Sequence, residues 1–469
     1  MKLYNTLTRT IDDLQPLKKD TVKVYTCGLT VYSQPHIGNW LGYVYWDVLL
    51  RTLRNDGYTV EHTQNITDVG HLTSDDDNGE DKMEKGARNE GVTAWDVAEK
   101  YIAIADKEST ELNLTPATHL VRATDMIEQQ IAFAKILEEK GFLYRIDGDG
   151  MYFDTSSLSD YGKLARLDID GLEPGARVSV AGKRNNTDFA VWKFSPAGSK
   201  RDMEWQSPWG VGFPGWHLEC SVIARETLGD QIDIHTGGID HIPVHHTNEI
   251  AQTEAVTGKQ FSSLWLHVNH LKADGKKMSK SLGNIYTLQN ITDKGFSMDD
   301  FRVFALGKHY RTEGNFTWEN LEAAANRLQH WREINDISEQ TSVTPQSEDS
   351  HQYLERFTDA LLTDLNTPVA LSVFDELINE IDRGGFTSET LFVFRTLRTR
   401  LHEMLGLNLT TTPELTQEQT QLIAEREAAR TAKDWKRSDE IRDRLTQTGL
   451  AVRDTQNGPE WVHLRKISS

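Results

Sequence analysis

Short apolar segments alternate with amphipathic segments through about the first 270 residues of the chain. Strand-like runs stand at 22–28 (VKVYTCG, an apolar run), 58–67 (YTVEHTQNIT), 231–238 (QIDIHTGG) and 264–271 (LWLHVNHL). Helical patterns lie between them, from about 36 to 53, from about 93, and at 245–252 (HHTNEIAQ). This alternation is typical of a parallel sheet with crossover helices. Gly- and Pro-containing segments interrupt it at about 120–210, which we interpret as an insertion.

The pattern becomes helical from about Trp318. One helix is predicted at 366–381, with Thr367 as its N-cap and Pro368 as its first helical residue. Another is predicted at 390–406, where Gly406 would form the C-terminal cap. Polar stretches at 338–350 and 408–420 predict linkers, and a short module follows at 421–469. The sequence therefore predicts an α/β protein whose parallel-sheet domain precedes a helical bundle and a small C-terminal module.

Composition narrows the class of protein. A chain of 469 residues is expected to form two or more domains. Mean hydropathy is −0.55, and no run approaches the ~20 apolar residues that a membrane-spanning helix needs. The first residues contain no apolar stretch of the kind found in signal peptides. We therefore expect a soluble cytoplasmic protein. A net charge of −20 argues against a general nucleic-acid binder, although it leaves room for a local basic patch.

The two cysteines, Cys27 and Cys220, are candidates for a metal site. A disulfide is not expected in a reducing compartment, and the alternative to metal binding is a pair of small buried apolar side chains. His245 and Glu249 are spaced to share one face of a helix. Two thiolates, an imidazole and a carboxylate are ligands of the types that zinc prefers, but a polar helix face explains the His245–Glu249 spacing equally well.

Two further segments are typical of nucleotide chemistry. QPHIGNW (34–40) lies between a predicted strand and the start of a predicted helix. The free backbone N–H groups at a helix start favour binding of an anion. The alternative is an ordinary polar turn. DGKKMSKSLGN (274–284) places a cluster of lysines between two glycines, which suits a mobile loop that closes over polyphosphate; the alternative is a surface lysine loop.

These two segments resemble the HIGH and KMSKS motifs of class I aminoacyl-tRNA synthetases. Five ordered blocks, TCGLTVYSQPHIGN, NITDVGH, GWHLECS, HTGGIDHIPVHHTNEIAQ and KKMSKSLGN, resemble cysteinyl-tRNA synthetases in particular. The likeness extends from about residue 20 to the C-terminus. One departure is Asn39, which stands in place of the final histidine of HIGH, and asparagine can still donate a hydrogen bond.

The resemblance implies a cysteine–tRNA ligase that activates cysteine with ATP, releases pyrophosphate and transfers cysteine to the 3′ end of its tRNA. It also implies one zinc ion per chain, and Mg²⁺ that accompanies ATP. The zinc ligands would be Cys27, Cys220, His245 and Glu249, with His246 in a supporting position. Zinc prefers a thiolate to a hydroxyl, whereas pocket shape separates such isosteres by only ~10²-fold, so the metal would select cysteine over serine.

The resemblance also assigns roles to other residues. Gly28, Thr67 and Trp216 would line the cysteine pocket, although a strand-end cap explains Thr67 and core packing explains Trp216. The residues that would bind ATP are His36, Gly38, Asn39, Asp240, Lys277 and Lys280; of these, His36, Asn39, Lys277 and Lys280 would be catalytic.

The C-terminal module is more basic than the rest of the chain. Residues 424–469 carry ten Lys or Arg and eight Asp or Glu in a chain of net charge −20. The module resembles an anticodon-binding domain, in which Arg430, Trp435, Asp439, Asp454 and Trp461 would contact single-stranded bases. The alternative is a solvated helix–hairpin cap.

The predicted organisation has six parts. They are a Rossmann-type catalytic domain in two halves (1–120 and 211–270), a connective insertion (121–210), a KMSKS-loop and stem-contact region (271–335), a helical bundle (351–407) and an α+β anticodon module (421–469). We expect a monomer whose partners are cysteine tRNA, ATP and L-cysteine. Two alternatives remain: a mycothiol-pathway cysteine ligase, and an inactive synthetase-like RNA-binding protein.

Overall fold

The structure, a computed structural model, describes residues 1–70, 81–166, 182–196, 198, 201–279, 282–346, 352–410, 414–455 and 458–465. The chain forms two compact units. The first comprises Met1–His270 with Tyr310–Glu313, and the second comprises Leu271–His309 with Gly314–Ser469. No helix in the described ranges is both long enough and apolar enough to cross a membrane.

The first unit is built on a parallel sheet. Its strands are β1 Lys2–Asn5, β2 Thr10–Asp13, β3 Thr21–Thr26, β4 Thr59–Ile66, β5 His119–Arg122, β6 Leu143–Ile146, β7 Gly150–Phe153, β8 Phe189–Phe194, β9 Gly212–Pro214, β10 Ile232–Gly238 and β11 Ser262–Val268. Its helices are α1 Ile37–Asn55, α2 Lys82–Glu90, α3 Ala94–Glu111, α4 Ile127–Glu139, α5 Trp216–Leu228 and α6 His245–Thr257. Among the described residues, five strands pair in the order β11-β10-β3-β4-β5, and every pair is parallel.

The sheet places the ends of its central strands beside helix starts. β3 and β10 are almost wholly buried, as expected of strands covered by helices on both faces. Helix α1 follows β3, and it begins with a capping box in which His36 Nδ1 accepts from the Asn39 N–H while Asn39 Oδ1 accepts from the His36 N–H. The carboxyl ends of β3 and β10 therefore face the region where α1 and α6 begin.

The predicted insertion contains an antiparallel sheet. Strands β6, β7, β8 and β9 pair in that order within the described residues, and the packed aromatic side chains of Phe142, Phe153 and Phe189 lie along it. Helix α4 contributes Phe133 and Leu137 to the same core. The insertion therefore packs around a hydrophobic core that also includes Leu218 of α5 and Ala251 of α6.

The second unit is mainly helical. Its strands are β12 Leu271–Ala273, β13 Lys276–Lys277, β14 Gly314–Phe316, β15 Leu450–Thr455 and β16 Gly458–His463. Its helices are α7 Leu288–Asp293, α8 Met298–Leu306, α9 Trp318–Gln340, α10 Gln352–Leu362, α11 Thr367–Gly384, α12 Ser388–Leu405, α13 Gln417–Thr431 and α14 Trp435–Gln447. The N-cap of α11 is Asn366 and not Thr367, because the Thr367 hydroxyl donates to Leu306 O instead.

The C-terminal module combines α13, α14 and the β15–β16 hairpin. Its core includes Leu422, Ile441 and Leu450. The Gln340 side chain of α9 binds the backbone of the hairpin at Trp461. It donates to the C=O of Trp461 and accepts from its N–H. A parallel-sheet domain with an insertion, a helical bundle and a small α+β module are thus all present, and the predicted fold class is confirmed.

Candidate metal centre and active-site residues

The fold brings the four predicted metal ligands together. Cys27 directly follows β3, Cys220 lies on α5, and His245 and Glu249 lie one turn apart at the start of α6. All four are buried, and one potential ligand atom from each lies within 4.8 Å of the other three. His245 Nε2 is 3.0 Å from Glu249 Oε1, and Cys27 Sγ is 3.8 Å from the same oxygen. Such a group of donors can hold a metal ion.

The ionisable side chains of this centre shift one another's pKa values. Burial alone would raise the pKa of Glu249, but His235 and His245 bring it well below its ordinary value. Burial alone would lower the pKa of His245, but Glu249 and Cys220 raise it to about 10. Burial raises the pKa of the Cys27 thiol, and hydrogen bonding from Cys27 lowers that of Cys220. Cys27 and His245 are therefore the groups that would have to give up a proton to bind a metal ion.

The surroundings of His245 fit a metal ligand. Its Nδ1 lies 2.9 Å from His217 Nδ1, and both residues are buried. If Nε2 of His245 coordinates a metal, its Nδ1 carries the proton and donates to His217. A ligating histidine almost always donates its second N–H in this way. The donor set and this outer contact together fit zinc, which takes Cys, His and carboxylate ligands in tetrahedral sites.

A second group of four donors shares Cys27 and Glu249 with the first and adds His235 and His246. His235 Nε2 is 2.9 Å from Glu249 Oε2, but its Nδ1 makes no hydrogen bond within the described part of the chain. A metal bound through Nε2 of His235 would displace the contact of this nitrogen with Glu249 Oε2. His235 is better suited to donate to Glu249 and hold its second oxygen toward the sheet.

The residues predicted for the cysteine pocket surround the same centre. The half-buried Trp216 ring begins α5 and lies 4.4 Å from the His245 ring, centroid to centroid. Thr67 is buried and accepts a hydrogen bond from Asn65, while the Gly28 N–H donates to Asn65 Oδ1. A Cβ at Gly28 would lie 1.5 Å from Asn65 O, so only glycine allows this close approach.

The predicted ATP residues of the first unit lie at element ends. His36 and Asn39 cap α1 through each other, and burial lowers the pKa of His36. Because Nδ1 of the neutral His36 ring accepts from the backbone, Nε2 carries the proton and can donate to a ligand. Gly38 lies in the first turn of α1, and the exposed Asp240 lies in a short 3₁₀ turn, Ile239–His241, after β10.

The lysine loop begins on a short hairpin in the second unit. Lys277 is exposed on β13, where it pairs with Lys272 of β12. Asn284 holds the two sides of the loop together, since it accepts from the Ser279 N–H and donates to Lys277 O. Lys280 lies outside the described residues.

The predicted anticodon residues lie on the two helices and the hairpin of the C-terminal module. Trp435 is 56% exposed, and the Arg430 guanidinium lies 5.4 Å from the centre of its ring. Asp454 is bound by both Arg426 and Arg430, and Asp439 pairs with Arg442. Trp461 instead packs beside His463 and the module core. Arg430 thus contacts both Trp435 and Asp454, whereas Trp461 takes part in the packing of the module.

Comparison with known proteins identifies the family. A family model described as the catalytic domain of class I tRNA synthetases (C) matches residues 13–326. A DALR domain model matches residues 356–410, and a cysteinyl-tRNA ligase anticodon binding domain model matches residues 412–461. The chain is 44% identical to cysteine–tRNA ligase 1 of Burkholderia lata over 98% of this chain and 96% of that one. The chain belongs to the cysteinyl-tRNA synthetase family.

Other members and neighbours agree with this family. The cysteine–tRNA ligase of Novosphingobium aromaticivorans is 42% identical over 98% of this chain and 97% of its own. Methionyl-tRNA synthetase of Mycobacterium tuberculosis, solved with methionyl-adenylate, has a TM-score of 0.60 at 16% identity and covers 82% of this chain and 92% of that one. That neighbour supports the fold alone. The family makes the chain an enzyme, a tRNA ligase, and favours neither the mycothiol-pathway alternative nor the inactive one.

Several residues of the site were not predicted. His217, His235 and His267 lie around the metal centre, yet their positions follow only from the fold. A weak signal exists for His235, because it is a histidine in a strand that is buried from Ile232 to Gly237. Asn284 lies within a block that supports the resemblance, but its role in holding the lysine loop is visible only in the structure.

Proposed function

We propose that the chain activates cysteine with ATP and transfers it to the 3′ end of cysteine tRNA, and that one zinc ion held by Cys27, Cys220, His245 and Glu249 selects the substrate thiol. The observation that carries this proposal is the buried group of two thiols, one imidazole and one carboxylate in a member of this family. Zinc bound there would coordinate the sulfur of cysteine, promote its deprotonation and discriminate against the hydroxyl of serine.

The residues around the centre would position the amino acid. Trp216 begins α5 beside His245, so its partly exposed ring can cover the substrate side chain. Gly28 and Thr67 both contact Asn65, and this arrangement would fix the wall of the pocket next to Cys27. His235 would hold Glu249 by donating to its second carboxylate oxygen.

In the first unit, His36 Nε2 is proposed to donate to the phosphates of ATP, with Gly38 and Asn39 at the amino end of α1. Asn39 caps α1 through its Oδ1, and its side-chain N–H group can still donate. Asp240 would bind the ribose hydroxyls. In the second unit, Lys277 and Lys280 would bind the triphosphate together with Mg²⁺ and stabilise charge that develops on it. The attacking group is the carboxylate of cysteine, so no protein nucleophile is required.

We further propose that the enzyme acts in the cytoplasm as a monomer. Its proposed parts are those that the sequence predicts: two catalytic halves (1–120 and 211–270), an insertion (121–210), a KMSKS-loop and stem-contact region (271–335), a helical bundle (351–407) and an anticodon module (421–469). In the last of these, Arg430, Trp435, Asp439, Asp454 and Trp461 are the proposed tRNA contacts. The exposure of Trp435 and the packing of Trp461 make Trp435 the stronger candidate for stacking on a base.

The proposed function is tested by ATP–pyrophosphate exchange with a panel of amino acids, followed by charging of purified tRNAs. We expect exchange with cysteine, little with serine or alanine, and charging of cysteine tRNA alone. Exchange that favours another amino acid would contradict the proposal.

Replacement of the exposed tryptophan should separate activation from tRNA recognition. We expect Trp435→Ala to reduce charging of full-length cysteine tRNA by about 5- to 150-fold, since base stacking on an aromatic ring is worth ~1–3 kcal/mol. Cysteine-dependent ATP–pyrophosphate exchange should not change. Trp95→Ala, which removes a tryptophan of the first unit that is 40% exposed, is the matched control. Equal charging by both variants and the unmodified enzyme would exclude Trp435 from recognition.

A further inference from the structure

A row of polar side chains outside the proposed ligand set ends at Cys27. Thr6 Oγ1 lies 2.7 Å from His267 Nδ1, and His267 Nε2 lies 2.8 Å from His246 Nδ1. His246 Nε2 in turn lies 3.4 Å from Cys27 Sγ. We call Thr6, His267 and His246 the polar row. Each of the three is at most 4% exposed, so bulk water does not compete for these contacts.

The donors and acceptors of the polar row fit together in one direction when Cys27 is a metal-bound thiolate. A thiolate only accepts hydrogen bonds, so His246 Nε2 must carry the proton. The Nδ1 of a neutral His246 ring then accepts, and His267 Nε2 is its donor. His267 Nδ1 must therefore accept from the Thr6 hydroxyl. Every contact in the row is satisfied by this single arrangement of tautomers.

Packing holds the His246 ring in place. A Cβ at Gly237 would lie 2.6 Å from His246 Cε1, so this glycine makes room for the ring. The Trp265 ring lies 5.1 Å from the His246 ring on another side. The ring therefore has little freedom to turn its Nε2 away from Cys27.

We propose that the polar row positions an N–H group on the Cys27 thiolate and thereby tunes the metal that selects the substrate thiol. This inference rests on the proposed function, since it requires a metal at Cys27. A hydrogen bond to a thiolate withdraws electron density from the sulfur, so the bound ion becomes a stronger acceptor for the incoming substrate sulfur. His246 acts on the ligand directly, and His267 and Thr6 act by fixing which nitrogen of His246 carries the proton.

The test uses the full chain loaded with Co²⁺, which accepts the same types of ligand as zinc and gives a sulfur-to-cobalt charge-transfer band. His246→Phe removes the N–H donor, so the band should move to lower energy, and Co²⁺ affinity should fall by about 10- to 100-fold. His246→Gln keeps a side-chain N–H and should restore part of both. His62→Phe is the control, because His62 is a buried histidine of the same sheet whose Nε2 contacts Thr26.

Thr6→Val tests the far end of the polar row with a small substitution that keeps the side-chain shape. Thr6→Val should move the charge-transfer band in the same direction as His246→Phe but by less. If His246→Phe does not fold, the band of Thr6→Val still tests the inference. An unchanged band and affinity in Thr6→Val and in the folded His246 variants would overturn the inference and leave the proposed function intact. Failure of the unmodified protein to bind Co²⁺ through sulfur would instead overturn the proposed function.

Discussion

Loss of Cys220 or Glu249 should remove zinc from the enzyme and with it the activation of cysteine. Each substitution to alanine deletes one of the four buried side chains proposed as ligands and leaves the other three without that partner. Breaking such a buried charged group costs about 3–5 kcal/mol, so we expect zinc affinity to fall by roughly 10²- to 10⁴-fold. Zinc content after dialysis against a chelator measures this loss, and cysteine-dependent ATP–pyrophosphate exchange should fall in parallel.

The control for these variants lies on the same helix. Glu254→Gln removes a carboxylate of α6 that pairs with Lys163 and is no part of the proposed ligand set. It should retain zinc and exchange activity. Wild-type zinc content in Glu249→Ala would show that this carboxylate is not a ligand.

The second large effect is expected at the lysine loop. Lys280→Ala should slow formation of the adenylate by about 10²- to 10³-fold, which corresponds to ~2.7–4 kcal/mol for one donor aimed at developing charge. Binding of cysteine at equilibrium should scarcely change, because the lysine is proposed to act on the phosphates. Rapid-quench measurement of adenylate formation and equilibrium dialysis of cysteine separate the two quantities.

A second lysine of the segment 274–284 provides the comparison for Lys280. Lys276 is exposed on β13 and has no proposed role in ATP binding, so Lys276→Ala should have a small effect. Weaker cysteine binding in Lys280→Ala, with an unchanged rate of adenylate formation, would refute the proposed role of this lysine.

The parallel sheet and its helices could be predicted because their signals are local. The buried strands β3 and β10 carry Val, Tyr or Ile at most of their apolar positions, and helix α3, predicted from about 93, begins after Thr93, which forms a capping box with Asp96. The four ligands likewise stand in short motifs whose residue types already indicate a metal.

Features that depend on distant partners could not be predicted in the same way. Helix α9 continues to Gln340, into the predicted linker at 338–350, and there the Gln340 side chain bonds the backbone of Trp461. Helix α13 begins at Gln417 within the predicted linker at 408–420, although Thr416 and Gln419 form a capping box that the sequence does contain. Thr367 has the chemistry of an N-cap, but tertiary contact with Leu306 determines its hydrogen bond.

The histidines around the metal show the same limit at the site. His267 is separated by 261 residues from Thr6, its partner in the polar row, so only the fold, in which the Thr6 N–H also donates to Trp265 O, brings them together. Their spacing carries no motif. The candidate ligands could therefore be proposed from the sequence, whereas the residues that contact them could be identified only from the fold.

The claim that a zinc ion selects the substrate thiol is tested most directly by ATP–pyrophosphate exchange with cysteine and with serine. The same wild-type enzyme is measured before zinc is removed, after it is removed and after it is restored. We predict one zinc per chain at the start, strong preference for cysteine, and loss of cysteine activation on removal that zinc reverses. Metal-free enzyme that still activates cysteine and rejects serine would contradict the account.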